Sequence, residues 1–166
     1  MTDDRTLIRL RRVVRSLARE LNSSATDEGL TPTEASVLGL ISTRGPVGLG
    51  DLAQLEGLNP TMLSRVLRAL TDRKLITRKP DPNDQRAVRA AATAKGRALH
   101  DRIQLLRIRM VEESLDRLSA SSRDAIIDVL PDLEDLATEL RTVRSPGGNQ
   151  PPMTSPPPQP PKNKGP

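Results

Sequence analysis

The chain has 166 residues, a net charge of +5 and neither cysteine nor any aromatic ring. Without cysteine there is no disulfide, thiolate metal site, cysteine nucleophile or thiol redox sensor. Without rings there is no base-stacking platform of the sort that RNA-recognition motifs and many single-strand binders use, so a nucleic-acid partner would be duplex DNA first.

Along the chain, Leu7, Leu10, Val14, Leu17 and Leu21 recur at alternating spacings of three and four between arginines, which predicts an amphipathic helix over Thr6–Asn22. A second helix is predicted over Leu30–Ile41: Thr31 caps it, Pro32 suits its first position, Glu34 completes a capping box, and Gly45-Pro46 ends it. An extended piece at Val47–Leu49 precedes a short helix, Asp51–Glu56, stopped by Gly57. Asn59 then caps, and Pro60 opens, a helix running to about Arg73. Two helices joined by a Gly-containing turn of about three residues form the helix-turn-helix pattern.

Leu75–Lys79 and Ala87–Ala92 are predicted to pair as a hairpin with Pro80–Arg86 as its loop, the second strand being alanine-rich and weak by propensity. Thr93 caps a long helix bearing Leu99, Ile103, Leu106, Met110, Leu115 and Leu118. Ser119 starts a last helix with Ile126, Leu130, Leu133, Ala137 and Leu140, in which Pro131 is expected to make a kink. From Ser145 onward nine of twenty-two residues are proline. That tail, 145–166, is expected to be disordered or polyproline II in character, and its PPPQPPK run has the PxxP spacing that docks in SH3-like grooves.

Charge is concentrated in one window: residues 60 to 100 carry ten basic and three acidic side chains. Within it, helical spacing gathers Thr61, Ser64, Arg65 and Arg68 on one side of the helix and Leu63, Val66, Leu67 and Leu70 nearly opposite. Hydroxyls and guanidiniums are the groups that hydrogen-bond base edges and phosphates, and arginine pairs bidentately with guanine.

The run LAQLEGLNPTMLSRVLRALTDRKLITRKPDPNDQRAVRAAATAKG resembles the multiple-antibiotic-resistance (MarR) family of winged helix-turn-helix transcription regulators. Leu75, Arg78, Asp81, Asp84, Arg86, Thr93, Lys95 and Gly96 stand at the positions that mark the family's wing and the entry to its long helix. The resemblance extends over about residues 5 to 142, including LTPTEASVL. It implies a mainly α fold with a small β-hairpin wing. The implied winged DNA-binding domain spans 30–93, with a recognition helix at about 60–73 and the wing at about 75–92. The implied helical dimerisation region comprises 4–27 and 94–143, through Leu7, Leu10, Val14, Ile126, Leu130, Leu133 and Leu140.

By the same resemblance Thr61, Met62, Ser64 and Arg65 occupy major-groove positions, with Arg68 reaching phosphate. In the wing Arg86 is the minor-groove arginine, Asp84 the acid that orients it or Arg65, and Arg78 and Arg89 flank them. Thr33 is a further phosphate candidate. The implied function is a DNA-binding regulator, expected to repress, acting as a homodimer on a pseudopalindromic operator and released by a small-molecule effector. Relatives bind small anionic aromatics. Here no ring can line such a site, and Arg15 and His100 are the candidate anchors.

One histidine and no His/Asp/Glu cluster at metal spacing leave little from which to build a catalytic centre, so no enzyme, metal or cofactor is expected. No apolar run nears the roughly 18 residues of a membrane span, so a cytoplasmic protein without a membrane partner is expected. The competing functions are a sequence-tolerant architectural DNA binder and a non-DNA adaptor working through the Pro-rich tail.

Overall fold

The computed structural model of the protein describes residues 3–81 and 87–144. In chain order it contains α1 (Asp4–Asp27), α2 (Pro32–Arg44), β1 (Val47–Gly48), α3 (Leu49–Glu56), α4 (Pro60–Asp72), β2 (Ile76–Pro80), β3 (Val88–Ala92), α5 (Ala94–Asp116), α6 (Ala120–Asp128) and α7 (Leu130–Arg144). The described residues fall into two compact units, one ending at Arg117 and one beginning at Leu118. None of the described helices is long and apolar enough to cross a membrane.

In the first unit the punctuation residues act where local chemistry places them. The Thr31 hydroxyl accepts from the Glu34 amide at 3.2 Å while the Glu34 carboxylate accepts from the Thr31 amide at 2.8 Å, the reciprocal capping box that satisfies two orphan donors. Gly57 takes the left-handed conformation, φ 63°, that turns α3 into α4. The core is entirely aliphatic: Leu30, Val37, Leu38, Ile41, Leu52, Leu67, Leu70, Leu75, Ile76 and Ile103 are all buried. Each buried Leu or Ile contributes roughly 1.5–3 kcal/mol of transfer free energy, so many small contributions replace the few large ones that rings usually supply.

The extended piece after Pro46 is a strand. It completes a three-stranded antiparallel sheet of order β1-β3-β2, with Val47 opposite Ala90. The alanine-rich segment is therefore the central strand, and Ala90 is fully buried where α2 packs on β3. Its small side chains suit that close approach, which outweighs their poor strand propensity.

A latch joins the end of α4, the start of β2 and the start of α5. The Thr93 hydroxyl donates to the carbonyls of Lys74 and Leu75 at 2.8 and 3.1 Å, and accepts from the Gly96 amide at 3.0 Å as the N-cap of α5. Lys95 Nζ donates to the Arg73 carbonyl at 3.1 Å. The helix-to-strand turn itself runs through Lys74 at φ 60°, the sole non-glycine with positive φ among the described residues. A side chain there costs about 1–2 kcal/mol, against roughly 0.5–1 for the extra chain entropy of glycine. Lys74→Gly is thus expected to raise stability by roughly 0.5–1 kcal/mol, seen as a higher urea midpoint at unchanged slope. A lower midpoint would mean that the lysine side chain makes a contact worth more than the strain.

The second unit corrects one expectation. Pro131 does not kink a continuous last helix: α6 stops at Asp128, Val129 caps it, and Pro131 is the second residue of a new helix, α7. The first turn of a helix has no intrahelical acceptors for its N–H groups, so the missing donor of proline is harmless there, whereas mid-helix it would break a bond and clash.

Candidate nucleic-acid interface

The interface is built on α4. Asn59 caps it, its Oδ1 accepting from the Met62 amide at 2.8 Å, and Pro60 sets the first turn. The Leu63 amide is taken by the Asn59 carbonyl at 3.0 Å. Pro60 has no amide, so Thr61 alone in that turn offers its N–H outward, a narrower anion-binding end than an uncapped helix would present.

Packing fixes the rotation of α4. Leu63, Val66, Leu67 and Leu70 are buried in the core, which leaves Thr61, Met62, Ser64, Arg65 and Arg68 exposed together on the outer side. Met62 keeps 46% of its surface. Arg65 and Arg68 have no carboxylate partner among the described residues. Two guanidiniums, two hydroxyls and one soft apolar side chain therefore project from a single helical face, the combination that suits a major groove carrying base edges and thymine methyls.

The base of the wing adds charge. In β2 Arg78 and Lys79 are exposed, and the register sets Lys79 directly opposite Arg89 of β3. Like charges directly opposite each other destabilise a strand pair. Asp81 relieves this one: its carboxylate lies 3.4 Å from Arg89 Nε, an ion pair rather than an aligned hydrogen bond, while its amide donates to the Ala87 carbonyl at 2.8 Å and closes the wing's base. Arg89 is half-buried and held by Asp81, whereas Arg78 is exposed. Asp84 and Arg86 lie outside the described residues. Thr33 sits half-buried in the first turn of α2.

Long-range polar contacts fix where α4 points. Arg73, at its C-terminal end, donates to the carbonyls of Gly29 and Glu28 at 2.6 and 3.2 Å. Glu28 in turn holds Arg102 of α5 in a bidentate pair, whose Nε–Oε1 arm is 2.7 Å and whose second arm joins Nη2 to Oε2. The Glu28 hydrogen bond, and then its charge, raise the pKa of Arg102 above its ordinary value. Neither motif nor periodicity marks Glu28, Arg73 or Arg102, because the partners are separated by more than forty residues in the chain.

The two effector-anchor candidates lie elsewhere. Arg15 is exposed on α1; His100 on α5 packs against α2, its Cε1 3.2 Å from where a Cβ on Gly39 would stand. Neither lines the cleft formed by Arg73, Lys95, Leu99 and Arg102.

A short helix, a left-handed glycine turn, a second helix with an exposed polar and basic face, and a three-stranded sheet with a basic hairpin together define a winged helix-turn-helix DNA-binding protein. Residues 30–88 match the MarR family model. YkoM, an HTH-type transcriptional regulator of Bacillus subtilis, is 29% identical over 119 residues, covering 72% of this chain and 77% of its own. NicR, an HTH-type transcriptional repressor of Pseudomonas putida, is 28% identical over 111 residues, covering 67% of this chain and 70% of its own. Among solved structures, the MarR family protein RV2887 of Mycobacterium tuberculosis superposes with a TM-score of 0.65 at 28% identity, over 80% of this chain and 97% of that one. Residues 30–88 are thus similar to a MarR family domain, and the chain is a DNA-binding transcription regulator.

Proposed function

We propose that the chain works in the cytoplasm as a homodimeric repressor, laying two copies of α4 into successive major grooves of a pseudopalindromic operator. The observation that carries this reading is the exposed face of α4, where Thr61, Met62, Ser64, Arg65 and Arg68 stand clear of the core. Arg65 reads a guanine, Met62 and Thr61 meet neighbouring base edges, Ser64 and Arg68 hold phosphates, and Arg78, Arg86 and Arg89 of the wing engage the flanking backbone or minor groove, with Asp84 orienting Arg86. A minor phosphate contact falls to Thr33.

Dimerisation is supported by apolar surface exposed on each unit taken by itself. Leu7, Ile8, Leu10, Val14 and Leu17 of α1 are exposed in the first, and Ile126, Leu130, Leu133 and Leu140 in the second. Contiguous apolar faces of this extent mark association surfaces in soluble proteins. A second copy of the chain covers them, and the resulting two-fold axis gives the operator its symmetry. Repression follows from occupancy of a promoter, and a small effector relieves it by disfavouring the DNA-bound arrangement.

Competition mobility shifts with an operator obtained by binding selection, against random duplex at several salt concentrations, test the reading. A regulator should prefer its operator by about 1,000-fold or more. Equal, salt-sensitive affinity for both duplexes would indicate an architectural binder, and no binding to either would indicate an adaptor.

A further inference from the structure

Away from the DNA-reading face, a cleft of about 210 Å³ opens between the end of α1, the end of α4 and the first turns of α5. Its apolar wall is formed by Leu75, Ala98 and Leu99, and its polar wall by Arg73, Lys95 and the Glu28–Arg102 pair. Glu28 and Arg102 neutralise each other. Arg73 and Lys95 do not have such partners: their donors go to backbone carbonyls, those of Gly29 and Glu28 for Arg73 and that of Arg73 for Lys95. Among the described residues no carboxylate pairs with either cation.

Two side chains are thus held in place by neutral acceptors, with their charges unanswered, beside an aliphatic wall. We infer that this cleft binds a small aliphatic carboxylate, its anionic head between Arg73 and Lys95 and its alkyl chain on Leu75, Ala98 and Leu99. A carboxylate makes charge-assisted hydrogen bonds to both donors, and because these are already ordered, little rotamer entropy is lost on binding. The volume lies below the roughly 300 Å³ at which drug-sized pockets begin, so the ligand is small. An inorganic oxyanion would satisfy the cations and leave the apolar wall wet, whereas an alcohol would cover the wall and leave the cations unmet. The site uses no residue of the α4 face that meets DNA, so it stands or falls independently of the proposed operator contacts.

Backbone-amide NMR titration of the full chain with hexanoate tests the site, with hexanol and sodium chloride as controls at constant ionic strength. Hexanoate should give saturable shifts centred on residues 28, 73, 95 and 98, and bind roughly tenfold or more tightly than hexanol. Lys95→Met, which keeps the stem and removes the charge, should weaken hexanoate by roughly tenfold. Ala98→Leu, on an exposed helical position, should fill the cleft and abolish binding. Thermal melts establish that each variant is folded. Absence of saturable shifts, parity with hexanol, or wild-type affinity in either folded variant would overturn the assignment.

Discussion

Gly96→Ala is expected to destabilise the chain by at least about 3 kcal/mol, a large fraction of the roughly 5–15 kcal/mol that keeps an ordinary domain folded. Intrinsic propensity points the other way, since alanine in place of glycine within a helix is favoured by about 0.8–1.0 kcal/mol. Packing decides the sign. A Cβ at position 96 would overlap the Leu75 carbonyl oxygen, with the carbonyl carbon 2.9 Å away and Leu38 Cδ1 3.3 Å away. The oxygen belongs to backbone already fixed by the Thr93 amide and hydroxyl, at 3.0 and 3.1 Å, and therefore has nowhere to retreat. Relief requires α5 to move off β2, which would open the core at Leu75, Leu99 and Ile103. Urea denaturation measures the effect, and a midpoint at or above that of the parent chain would show that α5 does not approach β2 so closely.

The second large effect concerns recognition. Arg65→Ala should weaken binding to a selected operator by about 1–3 kcal/mol, roughly 5- to 150-fold, and relax discrimination at one guanine position. Arg65 is exposed and lies on the opposite side of α4 from the core leucines, so its removal should leave the melting temperature unchanged. Arg68→Ala provides the contrast: a phosphate contact is lost about equally on all sequences, and the slope of log affinity against log salt falls by about one. Fluorescence anisotropy with operator and single-base variants separates the two. Undiminished affinity of Arg65→Ala for operator would remove this residue from the interface.

Most of the fold is carried by short-range signals. Thr31, Pro32 and Glu34 mark a helix start through hydrogen bonds that span three residues, and Asn59-Pro60 does the same, so both boundaries are legible in sequence. Gly57 is legible because its left-handed turn costs a side chain dearly. The DNA-reading face follows from the 3.6-residue period once the core leucines are recognised.

What escapes sequence reasoning depends on distant partners or on context. Val47–Gly48 is legible as an extended piece, but its place as an edge strand depends on β3, which supplies its hydrogen bonds. Ala90 looks wrong for a strand until α2 is seen against it. Arg73, Glu28 and Arg102 form a chain of contacts across three helices that leaves no local trace. Asp81 suggests a turn residue, and closes the wing, yet it also answers the charge of Arg89. Lys74 occupies a backbone conformation that ordinarily signals glycine, so the left-handed character of the helix-to-strand turn leaves no local mark. At Pro131 the difference is one of position: the apolar pattern runs through it as one helix, whereas the residue lies in the first turn of a new one.

On the proposed reading two copies of α4 enter one duplex. Hydroxyl-radical and methylation footprinting of the full chain on a selected operator tests it directly. Two symmetry-related patches of guanine N7 protection are expected in the major groove, with centres about 34 Å apart on one face of the helix, both diminished together by Arg65→Ala. A single patch, protection confined to the minor groove, or a footprint unchanged by Arg65→Ala would contradict it.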